Sequence, residues 1–423
     1  MPFSPSPRAA DGLSVLLVCL ACAAGVVALG AAPPAAPAAE DANLERARRL
    51  LRSVPLIDGH NDLPWKIRQS AKSDLDAYDL RRRTPGHADL ERLRQGGLGG
   101  QFWSVYVPGE AKSGWAHAQL EQIELARRMI ERYPDTFELA LTADDVERAF
   151  KRGRIGSLLG MEGGHVIENS LGALRAYYRL GARYMTLTHN VTLDWADCAA
   201  EPAKHQGLTR FGEEVVHEMN RLGMLVDLSH TSVDTMEDAL RVSEAPVIFS
   251  HASARALVDV PRNVPDAILQ RVKETDSVVM VTFVPPFVSA ETAKAYKELQ
   301  PLITERTASI TDPVEKEKAQ KEIRDAHPLP KATLAQVADH VGLGSDFDGI
   351  DEGPVGLEDV SRYPYLFAEL MKRGWSDEDL RKLAGLNVLR VLRKAEEVAK
   401  RLQATRPASV ATIEQLDGAA QPK

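Results

Sequence analysis

The sequence predicts a (β/α)8 barrel, and two observations carry that prediction. Eight short, β-prone apolar runs recur along the chain, each ending in a polar or glycine-rich stop, with helical segments between them. That is the syntax of parallel β/α units. The metal-capable side chains, moreover, fall at the C-terminal ends of these runs, and in a barrel those ends converge on one mouth, where such folds keep their chemistry. An open doubly wound sheet is the alternative, but no glycine-rich phosphate loop of the GxGxxG or P-loop kind marks its turns.

The 423 residues divide unevenly. Residues 1–39 contain the uncharged apolar run Gly12–Ala32, preceded by Arg8 and followed by Pro/Ala-rich sequence. This reads as a signal peptide or a retained N-terminal anchor, so the protein is expected to be exported: periplasmic, secreted or held at a membrane through that segment. Residues 43–403 are the expected barrel domain, and 404–423 a peripheral tail without strong periodicity. A net charge of -8 with no basic patch argues against nucleic acid. Of three cysteines, Cys19 and Cys22 lie in the apolar leader, so Cys198 alone remains after cleavage and no internal disulfide can form.

A short amphipathic helix, 43–52, leads into the stretch Val54–Trp65, whose short apolar run Leu56-Ile57 stops at Asp58-Gly59 and is followed by His60-Asn61-Asp62. The second is Leu98–Val107, followed by a long helix from Trp115 to Tyr133. The third, Ile155–Met161, ends in Glu162-Gly-Gly-His165, and the fourth, Tyr184–Thr188, ends at His189. A helix from Thr209 to Leu222, with Gly223 as its stop, precedes the fifth run, Met224–Leu228, which ends at Ser229-His230. The sixth, Pro246–Phe249, ends at Ser250-His251. The seventh is Ser277–Phe283 and the eighth His340–Gly344, ending in Asp346-Phe-Asp-Gly349. Between the last two lies a charged helical insertion, 290–329, placed to cap the mouth.

One His-x-Asp in isolation would more simply cap a strand end. Here His60 and Asp62 share a side of an extended segment, and Glu162, His230, His251 and Asp346 share their address. Imidazoles and carboxylates without thiolate suit zinc or a neighbouring ion such as manganese. One catalytic zinc needs only three protein ligands, so the surplus suggests two ions bridged by Glu162, with His60 and Asp62 on one and His230 and His251 on the other. A pair of metals lowers the pKa of a shared water and holds hydroxide at neutral pH. Asp346 is then placed to move its proton to a leaving amine.

The motifs IDGHNDLP (57–64), GMEGGH (160–165), LTHN (187–190), VDLSH (226–230), SHASARAL (250–257), PRNVPD (261–266), GSDFDG (344–349), YPYLFAELMKRGW (363–375) and LAGLNVLRV (383–391) resemble those of the membrane (renal) dipeptidase family, over about residues 50–400. The resemblance implies a binuclear zinc dipeptidase that cleaves dipeptides, those with a C-terminal D-residue among them, through a metal-bridging hydroxide. It implies the same two ligand sets, with Asp346 as acid/base. It also implies that His189 contacts substrate and polarises the scissile carbonyl, and that Arg262 receives the substrate's free carboxylate. His165 is expected to support the site or the fold, while Tyr184, Asp194 and Trp195 line the mouth or pack. The chain departs from the mammalian members in lacking their disulfides and C-terminal lipid-anchor signal, and it has no tyrosine in Thr282-Phe-Val-Pro-Pro-Phe287. A disulfide-linked dimer is therefore not expected, whereas a non-covalent homodimer stays open.

Overall fold

The computed structural model describes residues 38–111, 113–327 and 342–418. The apolar leader and residues 340–341 of the predicted eighth run lie outside them. No helix among the described residues is long and apolar enough to cross a membrane.

Among the described residues eight strands form: β1 (Leu56–Asn61), β2 (Leu98–Ser104), β3 (Phe137–Leu139), β4 (Ile155–Glu162), β5 (Ala182–Thr186), β6 (Leu225–Asp227), β7 (Ile248–Ala252) and β8 (Val278–Val281). All pair in parallel, in the order β1-β2-β4-β5-β6-β7-β8, with β3 beside β4 and off that path. Helices join successive strands and pack outside, so the predicted barrel class holds. β3 was not anticipated: Phe-Glu-Leu is too short for periodicity to register, and it exists by pairing Phe137 with Ile155 at the start of β4.

The seam departs from the prediction. Among the described residues no regular strand fills the eighth barrel position; instead Leu343 bridges Val281 of β8 and Phe347 bridges Asn61 of β1. Left-handed backbone at Gly342, Asp346 and Asp348 (φ 89°, 66° and 65°) breaks any extended ladder there. Hydrogen bonds replace it, from Gly59 N to Leu343 O at 3.0 Å, Asp346 N to His60 O at 3.1 Å and Asp62 N to Phe347 O at 2.9 Å. The buried Asp58 carboxylate ties the same seam. Its Oδ1 accepts from Ser345 N at 2.8 Å, and its Oδ2 accepts from Ser345 Oγ and the Tyr363 hydroxyl, both at 2.6 Å.

Inside the barrel Ile57, Phe102, Leu158, Tyr184, Leu225, Ile248 and Met280 belong to one buried apolar cluster. The insertion folds as two helices, Ala290–Thr307 and Pro313–Ala326, capped by the Ser289 and Asp312 side chains. The second is fastened by Arg324 Nε to Asp351 Oδ2 at 2.7 Å, just beyond the Asp346–Gly349 turn. In the tail, a helix at Ile413–Asp417 contacts the helix Arg210–Leu222, and Arg175 donates to Ser409 O at 2.7 Å.

The interior is narrow beside β7: a Cβ added at Gly344 would lie 1.8 Å from the Ser250 carbonyl oxygen. Since backbone must yield to relieve that overlap, Gly344→Ala is expected to destabilise by about 1–3 kcal/mol or more. The check is the midpoint of urea denaturation; an unchanged midpoint would mean that the seam is looser than its contacts imply.

Candidate metal centre

Eight residues predicted from sequence meet at the C-terminal rim of the barrel: His60, Asp62, Glu162, His189, His230, His251, Arg262 and Asp346. Three overlapping groups have ligand atoms within 4.8 Å of one another: His60, Glu162 and His251; Glu162, His189 and His230; His60, Asp62 and Asp346.

Glu162, the last residue of β4, lies between them, and its two oxygens diverge. Oε2 is 3.5 Å from His60 Nε2, which is itself 3.1 Å from Asp62 Oδ2. Oε1 is 3.1 Å from His230 Nε2 and 3.4 Å from His251 Nε2. Asp346 Oδ1 closes the first side, 3.9 Å from His60 Nε2. His189 Nε2 stands 3.8 Å from Glu162 Oε1, and its ring lies 4.3 Å from that of His230. His189 thus stands beside the second group.

Local backbone sets these positions. Gly349 lets two carboxylates converge, because a Cβ there would meet Asp62 Oδ2 at 2.3 Å and Asp346 Oδ1 at 2.6 Å. At Gly160 a Cβ would fall 2.0 Å from the Tyr184 ring; its absence lets that ring cross β4 and bring the hydroxyl 2.8 Å from His60 Nδ1. His230 itself adopts φ 65°, a sparsely populated conformation for a residue with a Cβ.

Electrostatics show what the cluster lacks. Burial pushes the Glu162 carboxyl up and the Asp346 carboxyl well up, and it holds His189, His230 and His251 well below the ordinary imidazole value. For His60, burial opposes the charge, but Tyr184, Asp62 and Glu162 outweigh it and raise the pKa. Proton bookkeeping is more pointed. His230 Nδ1 is 3.0 Å from Asn190 Oδ1, which can only accept. His251 Nδ1 is 2.9 Å from Ser250 Oγ, whose own proton goes to Asp227 Oδ2. Both imidazoles therefore carry their proton on Nδ1, and their bare Nε2 atoms face each other at 2.8 Å. Two lone pairs at that separation repel unless a cation lies between or beside them, so the donor set fits a metal site.

Arg262 reaches the rim from the loop after β7. Its Nη2 donates to His251 O at 3.3 Å, its guanidinium lies 5.4 Å from the Phe287 ring centre, and Nη1 is buried with no hydrogen-bond partner. His165 stays outside the cluster: Nε2 is 2.9 Å from Val107 O, and burial holds the pKa down at about 4, so the neutral ring braces the loop after β2. Trp195 is fully buried in the core, and Asp194 faces solvent, accepting from Asn169 Nδ2 at 3.1 Å. The sequence reading gave no role to Asp58, Asn190, Asp227 or Ser250. The only signal for them was proximity, since each lies within three residues of a predicted site residue in a quoted motif.

The profile of the membrane dipeptidase family (peptidase family M19) matches residues 44–406. Dipeptidase verJ of Clonostachys rogersoniana is 42% identical over 377 residues, spanning 86% of this chain and 90% of that one. Among solved structures, the probable dipeptidase PvdM from Pseudomonas aeruginosa superposes with a TM-score of 0.74 at 24% identity, covering 85% of this chain and 100% of that one. A metallo peptidase from Rhodobacter sphaeroides, liganded with a phosphinate mimic of the dipeptide L-Ala-D-Ala, superposes with a TM-score of 0.64 at 26% identity, covering 81% and 99%. With its rim of imidazoles and carboxylates and a family match across nearly the whole barrel, the chain belongs to the membrane dipeptidase family of metallopeptidases.

Proposed function

We propose that this chain hydrolyses the peptide bond of dipeptides at two zinc ions bridged by Glu162. One observation carries the reading: the Glu162 carboxylate divides, Oε2 toward His60 and Asp62, Oε1 toward His230 and His251. His60 and Asp62 would hold one ion, and His230 and His251 the other. The absence of thiolate and the presence of imidazole with carboxylate suit zinc. When bound, such a pair would supply Lewis acidity, lowering the pKa of a water and polarising the scissile carbonyl.

The protein's own groups do the rest. Asp346 is the most exposed of the three carboxylates, its side chain 17% accessible against 6% for Asp62 and Glu162. It can therefore take the proton of the attacking water and hand it to the leaving amine. His189, neutral at physiological pH, donates to the carbonyl oxygen as negative charge develops there. Arg262 offers the unpartnered Nη1 side of its planar fork to the substrate's free carboxylate. A clamp one residue from the cut restricts the enzyme to dipeptides. The ligand of the Rhodobacter sphaeroides relative, a mimic ending in D-Ala, supports including substrates with a C-terminal D-residue.

The leader Gly12–Ala32 supports export, as a cleaved signal or an anchor. Cys198 is buried, so once the leader is cleaved a homodimer would be non-covalent.

Exhaustive chelation is expected to abolish dipeptide hydrolysis and lower the melting temperature, both restored by two equivalents of zinc; a metal-free preparation with full turnover would end the two-zinc reading. Asp346→Asn should keep two metals by elemental analysis while kcat falls by roughly 10²–10⁴-fold. Arg262→Ala should lower kcat/KM for dipeptides by about 10–100-fold, the worth of one charged hydrogen bond. It should also erase the preference for a dipeptide over its C-terminal amide, which steady-state kinetics on the matched pair would reveal.

A further inference from the structure

Asp227 closes β6 three residues before His230, is fully buried, and belongs to none of the groups able to hold a cation. Its carboxylate accepts four hydrogen bonds. Oδ1 takes the backbone N–H groups of Ser229 at 3.1 Å and Ser250 at 2.8 Å. Oδ2 takes the hydroxyls of Thr186 and Ser250, both at 2.6 Å. The carboxylate thus pins β5, β6 and β7 together beneath the second ligand pair. Of the four donors, only the Ser250 hydroxyl also touches a predicted ligand through its side chain, with Oγ 2.9 Å from His251 Nδ1.

We propose that Asp227 is a positioning residue for the second cation: through Ser250 it fixes His251 in the form that presents a bare Nε2. The inference rests on the two-ion reading above. A carboxylate only accepts, so it obliges the serine proton to point toward it and leaves the serine lone pair for His251 Nδ1–H. An asparagine at 227 would reverse this order. Its oxygen would still serve the two backbone N–H groups, while its NH2 would donate to Ser250 Oγ and turn the serine proton toward Nδ1. The ring proton would then move to Nε2, where the cation needs a lone pair. Indirect partners of this kind are typically worth about 10–100-fold in metal affinity.

The test is competitive chelator titration of zinc into the full chain, resolving the first and second equivalents, with circular dichroism and thermal melts on each variant. Asp227→Asn is expected to weaken the second equivalent by about 10–100-fold and leave the first within about threefold. Ser250→Ala should do the same by removing the acceptor. Thr186→Val strips a hydrogen bond from the same carboxylate without touching His251, so it should cost melting temperature but not affinity. The inference is overturned if Asp227→Asn and Ser250→Ala both bind two equivalents as the wild type does. An equal loss in Thr186→Val, or an equal loss at both sites, overturns it too, since either would mean general loosening. If Asp227→Asn does not fold, the Ser250→Ala and Thr186→Val pair decides. A folded wild type that takes only one equivalent fails the two-ion reading itself.

Discussion

Carboxylates and imidazoles crowded at the buried rim of a barrel repel or stay neutral unless positive charge joins them, and the upper half of this molecule is arranged around that need. Moving a charged group out of water costs several kcal/mol unless it is paired. Arg262 is the one guanidinium acting on Glu162 and Asp346 among their principal electrostatic partners. His60 and Arg262 together do not balance three carboxylates, and the facing Nε2 atoms of His230 and His251 mark where a cation would fit. The geometry is thus that of a receptor for cations, held open by its surroundings.

What holds it open is a set of buried polar staples beneath the rim. Asp58 on one side and Asp227 on the other each saturate their oxygens with hydroxyl and backbone donors. Neither aims at the mouth. Buried carboxylates so satisfied serve as fixed points, because breaking any one of their bonds strands a charge in a poor solvent. Tyr184 adds a third fixed point by crossing Gly160 to reach His60. His60, Glu162 and His251 are consequently set by strands, and Asp62, His189, His230 and Asp346 by turns anchored to them, as a site of defined geometry requires.

Much of this was legible in the chain. Strand ends are marked by composition, and a residue's position at such an end survives folding unchanged, so His60, Asp62, Glu162, His189, His230, His251 and Asp346 could be assigned to one rim before any coordinates. The indirect partners could not, because nothing local distinguishes an aspartate at the rim from one that braces: by the pleat Asp58 and Asp62 fall on the same side, and only Ser345 and Tyr363, far away in the chain, claim the first. The eighth barrel position misled for a related reason. Its apolar residues promise a strand, but the left-handed conformations at Asp346 and Asp348 depend on contacts with β1 and the loop at His87, which no short-range pattern encodes. β3 was invisible because three residues carry no period.

The seam between β1 and the Leu343–Phe347 segment has a consequence for how the enzyme is made. Its hydrogen bonds join residues 287 apart in the chain, as between Asp58 and Ser345, and contacts of such separation bear the largest chain-closure entropy during folding. Glu162, His230 and His251 come from the stretch β4 to β7 and can assemble while the nascent C-terminal third is still emerging. His60 and Asp62 must wait for Asp346 and Phe347 to arrive. The rim is therefore completed in stages, and Asp346 joins only when the ring closes.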